Sequence, residues 1–128
     1  MPFDEEGYDR STYAPFALQD LRSSEWKDVR LSFNDWSWLQ SHLSGDTVDG
    51  YYLNGYGVQG LVQAALLIGG VDPDQDGIHY DSEGDTCYIH FIELTLATRA
   101  AELAAAMIRE PAALERAIVV ARDRGFED

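Results

Sequence analysis

DPDQDGIHYDSEGDTCYIHF, residues 72–91, is the stretch whose reading decides the fold. Six acids fall between Asp72 and Asp85, and no base does. One reading is a metal loop. Asp72, Asp74, Asp76, Gly77 and Glu83 satisfy the D-x-D-x-D-G-x5-E calcium pattern, and a hard cation wants acids at alternate positions with a bidentate Glu closing its shell. An EF-hand, however, needs a helix after the loop. Thr86 to Ile92 instead alternates as a strand, with Cys87, Ile89 and Phe91 on one face and Tyr88, His90 and Ile92 on the other. Pro73 takes the second loop position, and His79 stands where an apolar residue is wanted. The preferred reading is an acidic helix-to-strand connection running into a hairpin. Ile78 to Asp81 and Thr86 to Ile92 are its strands, and Gly84 is the expected left-handed turn residue. No metal or other cofactor is expected; a calcium-binding domain using the Asp72–Glu83 loop is the alternative.

Upstream, YYLNGYGVQG (51–60) carries glycines at 55, 57 and 60 and leads into a helix from about Val58 to Ile68, with Leu61, Val62, Ala65 and Ile68 buried. G-x-G-x-x-G is literally present here. The polar GDTVDGYYL before it is a poor core strand for a dinucleotide site, so a tight turn approaching a neighbouring element is the stronger reading. Further upstream, Trp26 to Phe33 alternates as a strand with Val29, Leu31 and Phe33 on one face, and Pro15 to Leu21 is a weaker strand. After Phe33 comes a helix with Asn34 as N-cap, Trp36, Leu39 and Leu43 on its apolar stripe, Trp38 off it and Gly45 just past its end. Downstream, Glu93 to Arg109 has a broad apolar face. Pro111 opens a last helix that buries Leu114, Ile118 and Ala121 and ends at Gly125, after which Phe126 folds back.

The expected order is ββαα-ββαα. RLSFNDWSWL (30–39) echoes YIHFIELTLA (88–97), since both end a strand at Phe and enter a helix through an acid. The expected class is α+β: an antiparallel sheet of two hairpins with helices packed on one face. Residues 1–12 read as a flexible acidic tail and 13–128 as a single domain, long enough at 128 residues to form a core unaided.

The net charge of −14 disfavours nucleic acid and anionic membrane, and favours a basic protein face or metal ions. The N-terminus lacks the apolar segment of a signal peptide, and no apolar run could span a bilayer. One cysteine excludes an internal disulfide and fits a reducing cytoplasm. Cys87 and His90 are three apart on a strand and point to opposite faces, which argues against a catalytic or zinc pair. Glu83 and Asp85, as acids in a turn, read as solvated. A small enzyme built on Cys87 or that acid pair is the remaining alternative. Tyr and Trp set among acids are the composition of a surface that grips a basic protein.

YYLNGYGVQGLVQAAL (51–66), DSEGDTCYIHF (81–91) and AIVVARDRGFED (117–128) resemble the immunity protein 51 family of bacterial polymorphic toxin systems. The resemblance covers roughly residues 50–128. It implies a small, cytoplasmic, non-enzymatic α+β protein that binds and blocks a cognate protein toxin. On that reading Asp72, Asp74, Asp76, Asp81, Glu83 and Asp85 supply the electrostatic field, and Tyr51, Tyr56 and Tyr88 supply packed anchors.

Overall fold

A computed structural model describes residues 3–43, 47–48 and 50–126. Its elements, in chain order, are β1 (Tyr8–Asp9), β2 (Ala17–Asp20), β3 (Val29–Phe33), α1 (Trp36–Leu43), β4 (Thr47–Val48), β5 (Tyr51–Tyr52), α2 (Gly55–Ile68), β6 (Ile78–Tyr80), β7 (Cys87–Phe91), α3 (Leu94–Arg109) and α4 (Pro111–Arg124). The class is α+β. A five-stranded antiparallel sheet, ordered β1-β2-β3-β7-β6, contains both expected hairpins, and β4 and β5 form a separate two-stranded ribbon. The order departs from ββαα-ββαα by β1 and by that ribbon between α1 and α2.

Period-two burial builds the sheet. Val29, Leu31 and Phe33 of β3 and Cys87, Ile89 and Phe91 of β7 are all buried on one face, while the residues between them are half-exposed on the other. α2 and α3 cover the buried face, and α4 packs on both of these helices. Leu31 pairs directly with Ile89 at the middle of β3 and β7. In the sequence echo Leu31 also corresponds to Ile89, and Trp36, which opens α1, corresponds to Leu94, which opens α3. The two halves thus meet about a local two-fold at that pair. The likeness ends in the helices: α1 has 8 residues and α3 has 16, and it is α3 that lies on the sheet.

Several expectations are corrected. The segment read as a tail contributes β1, which pairs Tyr8 with Gln19 and Asp9 with Leu18. The Asp4 carboxylate accepts from the N–H groups of Glu6 and Tyr8 and organises the turn before it. At α1 it is Asp35, not Asn34, whose carboxylate accepts from Trp38 N–H and caps the helix. Gly45, expected at the far end, lies outside the described residues. Trp38 is half-buried and stacks on His42 with ring centroids 4.4 Å apart. α2 starts at Gly55, three residues early, because Asn54 accepts from Gly57 N–H as its N-cap. Ile68, placed in the core, is 40% exposed at the end of that helix. Gly84 does not take a positive φ; reciprocal Glu83–Thr86 backbone bonds close the hairpin instead. α4 matches its expected bounds, with Pro111 in its first turn and Gly125 left-handed at φ 72°.

Asp9 is 1% exposed, a carboxylate on the buried face of an edge strand. Burial acts to raise its pKa, but donors from Thr12 and Ser11 outweigh that and hold it below the usual carboxylate range. A depressed folded pKa contributes stability that is present above the unfolded value and lost as pH falls through the folded one. Asp9→Asn is therefore expected to cost about 1–2 kcal/mol at pH 7, the value of charge-assisted bonds to backbone donors. The gap from wild type should shrink below about pH 4, where the unfolded carboxylate takes up its proton. Urea denaturation of both proteins at pH 7 and pH 3 checks this, and a gap indifferent to pH contradicts it.

Candidate functional site: an anionic groove beside the hairpin tip

The six acids of 72–85 are all exposed, but the fold divides them. Asp72, Asp74 and Asp76 lie in the loop before β6, while Asp81, Glu83 and Asp85 lie beyond its far end in the β6–β7 turn. In the first group the Asp72 carboxylate turns inward to accept from Asp74 N–H, Gln75 Nε2 donates to the Asp72 carbonyl, and the Tyr80 hydroxyl donates to the Pro73 carbonyl at 2.6 Å. Burial first, then the nearby Asp74, Cys87 and Asp72, push the Tyr80 hydroxyl well above the ordinary phenol range. It stays a donor and holds the loop. Among the described residues no group of three or more His, Cys, Asp or Glu is placed to hold a metal ion. The calcium pattern Asp72–Asp74–Asp76–Glu83 is therefore not gathered into a shell: a strand separates its first three acids from the fourth.

Asp81 and Tyr88 belong to the open face of the sheet. There Arg30 donates to Asp28 (3.1 Å) and to the Tyr88 hydroxyl (2.9 Å). His90 Nδ1 lies 3.1 Å from Asp28, and its Nε2 lies 3.6 Å from Asp81. Tyr88 is half-buried and engaged in this network, so it is a poorer anchor than expected. Tyr51 is not available as one: it is wholly buried, and its hydroxyl donates to the Gly57 carbonyl at 2.6 Å. Cys87 is wholly buried too, and burial pushes its thiol up to about 12, against a hydrogen bond from Ser82 that lowers it. A thiol held protonated at neutral pH is a poor nucleophile.

Of the remaining acids, Asp85 lines a groove of about 230 Å³, and Glu83 precedes its Gly84 in the same turn. Trp36 and Gln40 of α1 form one wall; Tyr52, Leu53 and Asn54 face Gly84 and Asp85 across it. Trp36 Nε1 donates to the Asp85 carbonyl at 2.9 Å and ties the tip to α1. Phe33 holds the same indole edge-on at 5.0 Å, which joins the groove wall to the core. Gly55 N–H donates to the Gly84 carbonyl at 3.0 Å and ties the tip to α2. Tyr52 (58% exposed) and Tyr56 (45% exposed) rise beside this junction. Between Arg30 and Arg99 the sequence holds ten acids and no Lys or Arg, and this segment builds the whole groove.

The glycines of 55–60 explain how the groove is assembled. A Cβ on Gly55 would collide with the Glu83 carbonyl, one on Gly57 with the Tyr52 carbonyl, and one on Gly60 with the Phe126 carbonyl. The expected close backbone approach is present, and since none of the three has a positive φ, it is that approach rather than a left-handed turn that requires glycine. Tyr56, Glu83 and Asp85 are exposed as expected; Tyr52, among the aromatics near the acids in sequence, was not expected as an anchor, and Trp36 was expected on the buried stripe of its helix. Alternation within 51–52 was the available signal, because two neighbouring strand residues face opposite ways.

No helix is long and apolar enough to cross a membrane among the described residues. Comparison of the chain with family models, with curated proteins and with solved structures finds no match.

Proposed function

We propose that the chain is a non-enzymatic, cytoplasmic immunity-type inhibitor that binds a cognate bacterial toxin through a basic face. The observation that carries this reading is the groove. Exposed Tyr52 lines it together with Asp85, exposed Tyr56 and Glu83 are each within a few residues of its lining, and the segment that builds it has no Lys or Arg. A surface of that kind accepts a Lys or Arg side chain from a partner: the carboxylates steer its approach and the aromatic rings cover the stem. A toxin acting on phosphate-bearing substrates carries a basic cleft, and an acidic face set over it would exclude substrate without any chemistry. The resemblance of residues 51–66, 81–91 and 117–128 to immunity proteins supports the same reading. Asp72, Asp74 and Asp76 contribute to the long-range field.

The test is co-expression with the toxin encoded beside this gene. Wild type should restore growth. The double variant Glu83→Lys/Asp85→Lys should remain folded, since both side chains are exposed, and should lose protection, with toxin affinity falling by roughly 100-fold or more. Full protection by a folded double variant would remove the groove from the interface.

A further inference from the structure

We propose that the outer face of α4 is a homodimer interface, in which α4 packs antiparallel against α4 of a second copy. This inference does not rest on the toxin reading. Five of the nine Lys and Arg lie in residues 99–124 against four acids, so this segment is slightly basic in a chain of −14 and repels a second copy less than the acidic remainder does. α4 itself carries three Arg against one Glu and one Asp. Its outward stripe runs Ala112, Arg116, Val119 and Asp123, all exposed at helical spacing, with Val119 62% exposed. Two shallow apolar hollows adjoin at Arg116. One is floored by Ile68, Leu103 and Ala113, where α2, α3 and α4 meet, and the other by Ala112, Val119 and Val120.

The charges select a register. A two-fold axis between Val119 and Val120 sets Arg116 against Asp123 of the partner subunit, two residues seven apart and so on the same flank of the helix. It also lays the valines of both copies together. An axis through Val119 itself would instead bring Glu115 near Asp123 of the partner subunit, two like charges. Arg116 and Asp123 are exposed and make no side-chain hydrogen bond or ion pair among the described residues, so each can meet a partner without giving one up. An isologous contact of this kind is self-complementary, as two-fold dimers require. Both anionic grooves lie on other elements and stay open.

Sedimentation equilibrium of the full chain reads the result, with circular dichroism confirming that each variant is folded. Wild type is expected to be a dimer and Val119→Glu a monomer. Arg116→Glu should weaken the dimer by roughly tenfold or more, and the swap Arg116→Glu/Asp123→Arg should restore it. A wild type that stays monomeric up to about 100 μM, where even weak specific contacts form, overturns the proposal. So does a dimer that Val119→Glu leaves intact, or a folded swap that fails to recover what Arg116→Glu lost. If wild type is monomeric and Val119→Glu instead abolishes protection from the toxin, the face belongs to that partner and the homodimer is wrong.

Discussion

Gly55→Ala is expected to destabilise the protein by about 3 kcal/mol or more, at the upper end of what overpacking costs. The reason is geometric. The new Cβ would run into the Glu83 carbonyl oxygen and stand 2.7 Å from the Thr86 carbonyl oxygen, and both obstacles are backbone. Neither can turn aside like a side chain, so the hairpin tip must lift from α2. Lifting it breaks the bond from Gly55 N–H to the Gly84 carbonyl and pulls on the Trp36–Asp85 bond beyond it. Alanine would otherwise favour the helix by about 1 kcal/mol, so the propensity effect has the opposite sign and is outweighed. For a domain of this size the melting temperature should fall by about 10 °C or more. Thermal melts followed by circular dichroism check it. A variant melting within about 2 °C of wild type would mean that the tip does not sit on α2. Gly84→Ala is the internal control: nothing lies within 4 Å of its added Cβ, and its φ is not positive, so it should change little.

The parts of the fold legible in the sequence are those where burial repeats with the period of the element. Cys87, Ile89 and Phe91 are buried because alternate residues of an inner strand share a face, and the same rule gives Val29, Leu31 and Phe33. α4 is legible at both ends because Pro111 lacks an N–H and Gly125 tolerates a left-handed turn. β1 is not. It has two residues, and its cause is an aspartate that satisfies Ser11 and Thr12 locally, a pattern shared by any polar turn. The start of α2 is hidden for a different reason. Two glycines in its first turn disfavour a helix intrinsically; the reason for Gly55 lies in contact with the hairpin tip, far along the chain, and that for Gly57 in the Tyr52 carbonyl. The candidate site was half legible. The sequence shows that 72–85 is acidic; only the fold shows that Asp85 lines the groove, with Glu83 in the same turn, while Asp72, Asp74 and Asp76 stand beyond the other end of β6.

Tyr51 and Tyr52 should separate stability from recognition. They are the same residue at adjacent positions of β5, and the pleat sends them opposite ways: Tyr51 is 0% exposed and Tyr52 is 58% exposed. Tyr51→Ala removes a buried ring and leaves the Gly57 carbonyl without its hydroxyl donor, so it is expected to cost about 3–5 kcal/mol of folding stability. Whatever fraction still folds at low temperature should bind the toxin as wild type does. Tyr52→Ala, on an exposed two-stranded ribbon, should change stability by no more than about 0.5 kcal/mol. Its effect should fall on the partner. An aromatic ring beside two carboxylates at a docking groove is the kind of residue that carries binding energy, and its truncation should weaken toxin binding by about 2 kcal/mol, roughly 30-fold. Urea denaturation and titration of each variant with the toxin read the two effects separately. If Tyr52→Ala binds with unchanged affinity, the groove is not the docking face. If Tyr51→Ala is as stable as wild type, the β5 ribbon is not anchored on α2. The groove presents Tyr52 because Tyr51 holds the ribbon from beneath, so if the groove is the docking face, the residue that makes recognition possible is one that does not meet the partner.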